Sequence, residues 1–98
     1  MKRVDRGQIY KITYPNSKIY IGQDRTDDIN YFGSANSAAI AADFSREQRR
    51  VFAITKEVLV DLKGTSIQEL NQIERAYIAL FESNNHLIGY NKTGSGVK

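Results

Sequence analysis

The chain has 98 residues, 41% of them apolar and 26% charged, which suits one domain spanning 1–98 and is too short for two cores. It has no cysteine, so disulfide staples and thiolate metal sites are excluded, and its net charge of +3 suits a polyanionic partner. No apolar run approaches the roughly 20 residues that span a bilayer, and the charged start Met1-Lys2-Arg3-Val4-Asp5-Arg6 leads into no apolar signal segment, so a cytoplasmic protein is expected.

Two tyrosine-bearing segments, Gly7-Gln8-Ile9-Tyr10 and Tyr20-Ile21-Gly22, bracket the turn-forming Pro15-Asn16-Ser17. Residues 8–14 and 18–23 are therefore expected to form a β-hairpin. A three-residue loop sets Tyr14 opposite Lys18, Ile12 opposite Tyr20 and Tyr10 opposite Gly22. Alternation along a strand then gathers the even-numbered side chains on one face, where Gly22 leaves room beside two phenols.

A polar loop follows over 24–34. Asn36 or Ser37 is positioned to cap a helix through residues 38–44, and Ser45-Arg46-Glu47-Gln48 has the form of a capping box. Residues 51–62 alternate and are rich in β-branched side chains, which predicts a third strand broken off at Gly64. Ser66-Ile67-Gln68-Glu69 is a second capping box, opening a helix to about residue 82. The remainder, 83–98, is expected to be irregular. The sum is an α+β domain: a small three-stranded antiparallel sheet flanked by helices.

One residue of the last helix stands out. At about 100° per residue, Ile67, Leu70, Ile78 and Phe81 form an apolar stripe, and Glu74 lies inside it. A carboxylate turned toward a core costs several kcal/mol unless it is paired, protonated or bound to a cation. A buried salt bridge and a divalent-metal ligand are the two readings. His86, alone in a polar segment, is poor evidence for a ligand.

The chain resembles the GIY-YIG nuclease family. The two tyrosine segments, Glu74-Arg75-Ala76-Tyr77-Ile78 and Gly89-Tyr90-Asn91 look like four short family motifs in family order, spanning nearly the whole chain. The resemblance implies a DNA endonuclease in which Glu74 holds one Mg²⁺ or Mn²⁺. It implies that Tyr10 and Tyr20 line the active site, Tyr10 activating water, and that Asn91 helps order it.

The family's phosphate-contacting arginine on the first helix has no match, because the equivalent stretch is Asp28-Ile29-Asn30-Tyr31. Arg25, just beyond Gly22, is the nearest cation, and the segment 26–34 is similar to a phage and bacterial subgroup with a Tyr-Phe-Gly-Ser loop. Arg25 is expected to be either the phosphate clamp, a role suited to its planar fork, or a solvated loop charge. In the second case Arg46, Arg49 or Lys56 would have to reach in. Lys11, Arg25, Arg46, Arg49 and Lys56 are the candidate contacts to nucleic acid, whether DNA or a structured RNA. The Arg46, Arg49 and Arg50 cluster also fits a solvated helix end. Two rivals stay open: a degenerate relative that binds nucleic acid without cutting it, and a domain for protein contacts.

Overall fold

Strand pairing organises the chain around its first segment. The computed structural model describes residues 3–33 and 35–92. In it β1 (Arg3–Thr13) is central, with β2 (Ile19–Asp24) on one side and β3 (Thr55–Ser66) on the other, both antiparallel. Two helices, α1 (Ser37–Asp43) and α2 (Ile67–Phe81), complete an α+β domain. The expected registers hold: Tyr10 faces Gly22 and Ile12 faces Tyr20.

The hairpin turn explains that register. The Tyr14 amide donates to the Lys18 carbonyl at 2.9 Å, Ser17 adopts a left-handed φ of 72°, and the Asn16 side chain accepts from the Lys18 amide at 3.0 Å. Three loop residues are thus consumed, and side-chain parity across the hairpin follows.

Parity divides the interior in two. Tyr10, Ile12, Tyr14 and Tyr20 lie on one face with Phe44 and Tyr90, and Ala39 and Ile40 of α1 pack onto them. Ile9 and Ile21 lie on the other, packed against Leu70 and Ile78 of α2. The second capping box is complete, with Ser66 Oγ accepting from the Glu69 amide and Glu69 Oε1 accepting from the Ser66 amide. Asn36 caps α1, accepting from the Ala39 amide at 3.2 Å. The Ser45 box forms as well, but it opens only a short 3₁₀ turn, Gln48–Arg50.

Two expectations about the strands need correction. β3 begins at Thr55 rather than residue 51, because Thr13 opposite Thr55 is the last pair β1 offers. Ahead of it Phe52 leaves the sheet and packs edge-on against Phe44, with ring centroids 5.0 Å apart. At the other end β3 does not stop at Gly64. It runs on to Ser66, with Gly64 at a left-handed φ of 65° that glycine adopts freely, because β1 extends back to Arg3 and pairs there. The described part of the tail is turns plus one bridge, Ile19 to Gly89, and 93–98 lie outside the described residues. Among the described residues no helix is long and apolar enough to cross a membrane.

Candidate functional site

A cleft of about 360 Å³ opens where the outer edge of β2 meets α2, lined by Tyr20, Gln23, Arg25, Asn71 and Glu74, with Tyr31 and Thr26 above. Glu74 reaches it because α2 lays Leu70 and Ile78 on the sheet and leaves the residue midway between them at the β2 edge. The carboxylate is half-buried, and its Oε1 accepts from Gln23 Nε2 at 3.0 Å. Among the described residues no lysine or arginine forms an ion pair with it. Burial pushes its pKa up, only partly opposed by the Gln23 hydrogen bond and the charges of Arg25 and Arg75. The salt-bridge reading of Glu74 is therefore not what this fold adopts.

Arg25 sits beside it. Its guanidinium donates to Gln23 Oε1 and, at 3.5 Å, to Asn71 Oδ1, which also accepts from Gln23 Nε2 at 3.0 Å. An amide relay of Gln23 and Asn71 thus holds the cation and the carboxylate in one cleft. Neither amide stands out in the sequence, although Asn71 lies one turn before Glu74 and so shares its helix face.

The loop bearing Arg25 is built on Asp24, another residue that the motifs leave unmarked. Asp24 is fully buried and accepts from the Thr26 amide at 2.7 Å, the Thr26 hydroxyl at 2.6 Å and the Asp28 amide at 3.2 Å. Desolvation works to raise its pKa, but these hydrogen bonds win and hold it below the usual carboxylate range.

Tyr10 lies one layer behind the cleft. Its ring centroid is 6.3 Å from those of both Tyr20 and Tyr31, and the Lys56 ammonium stands 4.7 Å over its face. A Cβ on Gly22 or on Gly33 would collide with the Tyr10 hydroxyl, so two glycines let backbone close over the phenol. That hydroxyl is buried with no hydrogen-bond partner among the described residues. Burial, reinforced by Tyr20, Tyr31, Asp24 and Glu74, pushes its pKa far up. Burial thus favours the protonated form of the Tyr10 phenol.

The other expected residues scatter. Asn91 clasps Ile21, with Oδ1 accepting from the Ile21 amide and Nδ2 donating to the Ile21 carbonyl, each at 2.9 Å. It ties the tail to β2 rather than reaching the cleft. Lys11 lies on the α2 face, 3.4 Å from Glu57 and 5.2 Å over the Phe81 ring. Arg49 donates to the carbonyls of Phe44 (3.0 Å) and Ala41, closing the end of α1, while Arg46 is exposed. Lys56 reaches the Tyr31 carbonyl at 2.7 Å.

Among the described residues no three His, Cys, Asp or Glu side chains gather to cage a metal ion. The oxygen donors lining the cleft are one carboxylate, the amide oxygens of Gln23 and Asn71, the phenols of Tyr20 and Tyr31, and the Thr26 hydroxyl. That set fits a Mg²⁺-like ion, which keeps several waters and takes only one or two carboxylates alongside substrate phosphate. No protein-family model, curated protein or solved structure matches this chain. What the cleft can do is read from its own side chains.

Proposed function

We propose that the protein is a divalent-metal-dependent endonuclease of GIY-YIG type, hydrolysing DNA phosphodiester bonds in the cleft between Glu74 and Arg25. The observation that carries this reading is Glu74: a half-buried carboxylate without an ion pair among the described residues, facing a cleft that also holds an arginine. Such a group is costly for folding and useful for holding a cation.

Glu74 would hold one Mg²⁺ or Mn²⁺, with the Asn71 amide oxygen and the Tyr20 phenol beside it. When bound, that ion supplies Lewis-acid stabilisation of charge on the departing oxygen. Arg25 presents N–H donors to the phosphate, and a fixed guanidinium is worth more in a partly dehydrated cleft than in water. Gln23 and Asn71 orient Arg25 and Glu74 against each other. Tyr20 positions the phosphate from the cleft wall. Tyr10 keeps its proton behind that wall, which supports a proton-holding and packing role in place of water activation.

Burial of Tyr10 also favours a second reading, a nucleic-acid-binding domain that no longer cuts. Incubation of supercoiled plasmid with Mg²⁺ or Mn²⁺ separates the two. The nuclease reading expects nicked or linear product that Glu74→Ala reduces by at least about 100-fold while the protein stays folded. Tyr10→Phe removes an unpartnered hydroxyl, so its fold should be unharmed and any loss of rate reports on the proton. Equal cleavage by parent and Glu74→Ala, or none by either, would remove the nuclease reading.

A further inference from the structure

Beside the cleft lies a second cavity, of about 570 Å³, between the loop after β2 and the outer part of β3. Its walls are Ile29, Phe32, Ile54 and Val58, with Lys56 among them. Ile29 is 83% exposed, Phe32 45% and Val58 46%. Large apolar groups gathered in water around a concavity mark a place where something docks. We propose that this cavity takes an unpaired nucleobase of the strand whose phosphate occupies the Glu74 cleft, so that the substrate is single-stranded or locally unwound DNA. The proposal rests on the nuclease reading for the phosphate and on Phe32 and Lys56 for the base.

Three features select a base over another apolar occupant. The first is continuity: Tyr31 lines the cleft and the next residue, Phe32, lines the cavity, so a strand following the loop passes from one to the other. The second is charge. The Lys56 ammonium stands 5.5 Å over the Phe32 ring and donates to the Tyr31 carbonyl, which sets a cation at the join where a backbone phosphate would run. An aromatic face beside a cation is the arrangement on which single strands stack. The third is polarity at one wall, where Gln8 Nε2 donates to Asp27 Oδ1 at 3.3 Å. An amide and a carboxylate there match the amide and amino edges of a base, which a purely apolar ligand would leave unanswered. In an intact duplex the bases are stacked inward and reach no such cavity.

The test is binding in EDTA, where no cleavage occurs, of a fluorescently labelled single-stranded oligonucleotide and of the blunt duplex of the same sequence. The parent should prefer the single strand. Phe32→Ala should weaken single-strand binding by about 10-fold or more and leave duplex binding unchanged. The chain has no tryptophan, so Phe32→Trp gives a single local reporter, whose emission a stacked base should quench while the duplex does not. Binding of neither nucleic acid, preference for the duplex, or a Phe32→Ala protein that binds as the parent does would each overturn the proposal. Adding Glu74→Ala to the Phe32→Trp protein should leave the quench in place. Quenching without plasmid cleavage would sink the nuclease reading alone, and intact cleavage by a Phe32→Trp protein whose indole stays unquenched would sink the base site alone.

Discussion

Glu74 carries its charge half out of water with one amide donating to it, and that sets folding against binding at a single atom group. Its folded pKa is raised, so the native state holds the proton more tightly than the unfolded chain does. Any stability tied to this group is therefore fully present below the ordinary carboxylate pKa and is lost as pH rises through the raised value. Glu74→Gln removes that penalty. Thermal melts should show the variant gaining on the parent as pH climbs from about 4.5 towards neutrality. A divalent cation prefers the ionised carboxylate, so Mn²⁺ should raise the parent's melting temperature more at pH 8 than at pH 5, and leave Glu74→Gln unmoved. An equal Mn²⁺ response in both proteins would place the ion elsewhere.

Among the elements, the loop after β2 has the most to do and the least regular structure to do it with. It positions Arg25 in the cleft, Tyr31 over Tyr10, and Phe32 at the second cavity, and Asp24 anchors its start through three accepted hydrogen bonds. Asp24→Ala leaves the amides of Thr26 and Asp28 without that acceptor. The expected cost is about 2 kcal/mol, or on the order of 10 °C in melting temperature for a chain of this size, measurable by calorimetry. The depressed pKa of Asp24 gives stability that is present above the ordinary carboxylate pKa and lost as pH falls through the folded value. The parent should lose this part of its margin in acid, and Asp24→Ala should not.

The same loop marks where sequence reading ran short. The hairpin register was legible because a three-residue turn fixes parity, and the position of Glu74 was legible because helix period places it between Leu70 and Ile78. Both are consequences of repeat geometry. The Asp24 anchor has none, since an Asp at a strand end looks the same in sequence whether it is solvated or accepts three hydrogen bonds. Gln23 and Asn71 are equally silent, because amides at polar positions are common. The layering of Tyr10 behind Tyr20 depends on Gly33, well beyond Gly22 in the chain, folding back over the phenol. Strand ends moved for a related reason: β1 starts in the charged Arg3-Val4-Asp5-Arg6 because β3 is there to pair with it, which is a tertiary cause.

At the level of the whole molecule, β1 is paired on both sides, and the described tail is fastened to β2. The Tyr90 hydroxyl donates to Asp43 at 2.7 Å and accepts from Asn16 Nδ2 at 2.8 Å, which joins the tail, the hairpin turn and the end of α1. Burial and the Asp43 carboxylate push the pKa of that phenol up to about 12, so the link holds through ordinary pH. Asn91 adds the two-sided clasp on Ile21. Asn91→Ala should therefore cost about 2 kcal/mol in denaturant unfolding. On the nuclease reading proposed above, the cleavage rate per folded molecule, taken well below the melting temperature, should stay within about twofold of the parent. A folded Asn91→Ala protein with its rate reduced about 100-fold would instead make Asn91 part of the chemistry.

The clasp on Ile21 has a consequence for how the protein comes into being. Ribosomes deliver β1 and β2 before β3, α2 and Asn91. Until then the backbone edge of β2 that borders the cleft is open, and β1 waits for a partner far behind it in the chain. Contacts this distant in sequence close slowly. A nascent chain thus carries Tyr10, Tyr20 and Arg25 well before the frame that holds them together exists, and the cleft is complete only once Glu74 and then Asn91 have been added.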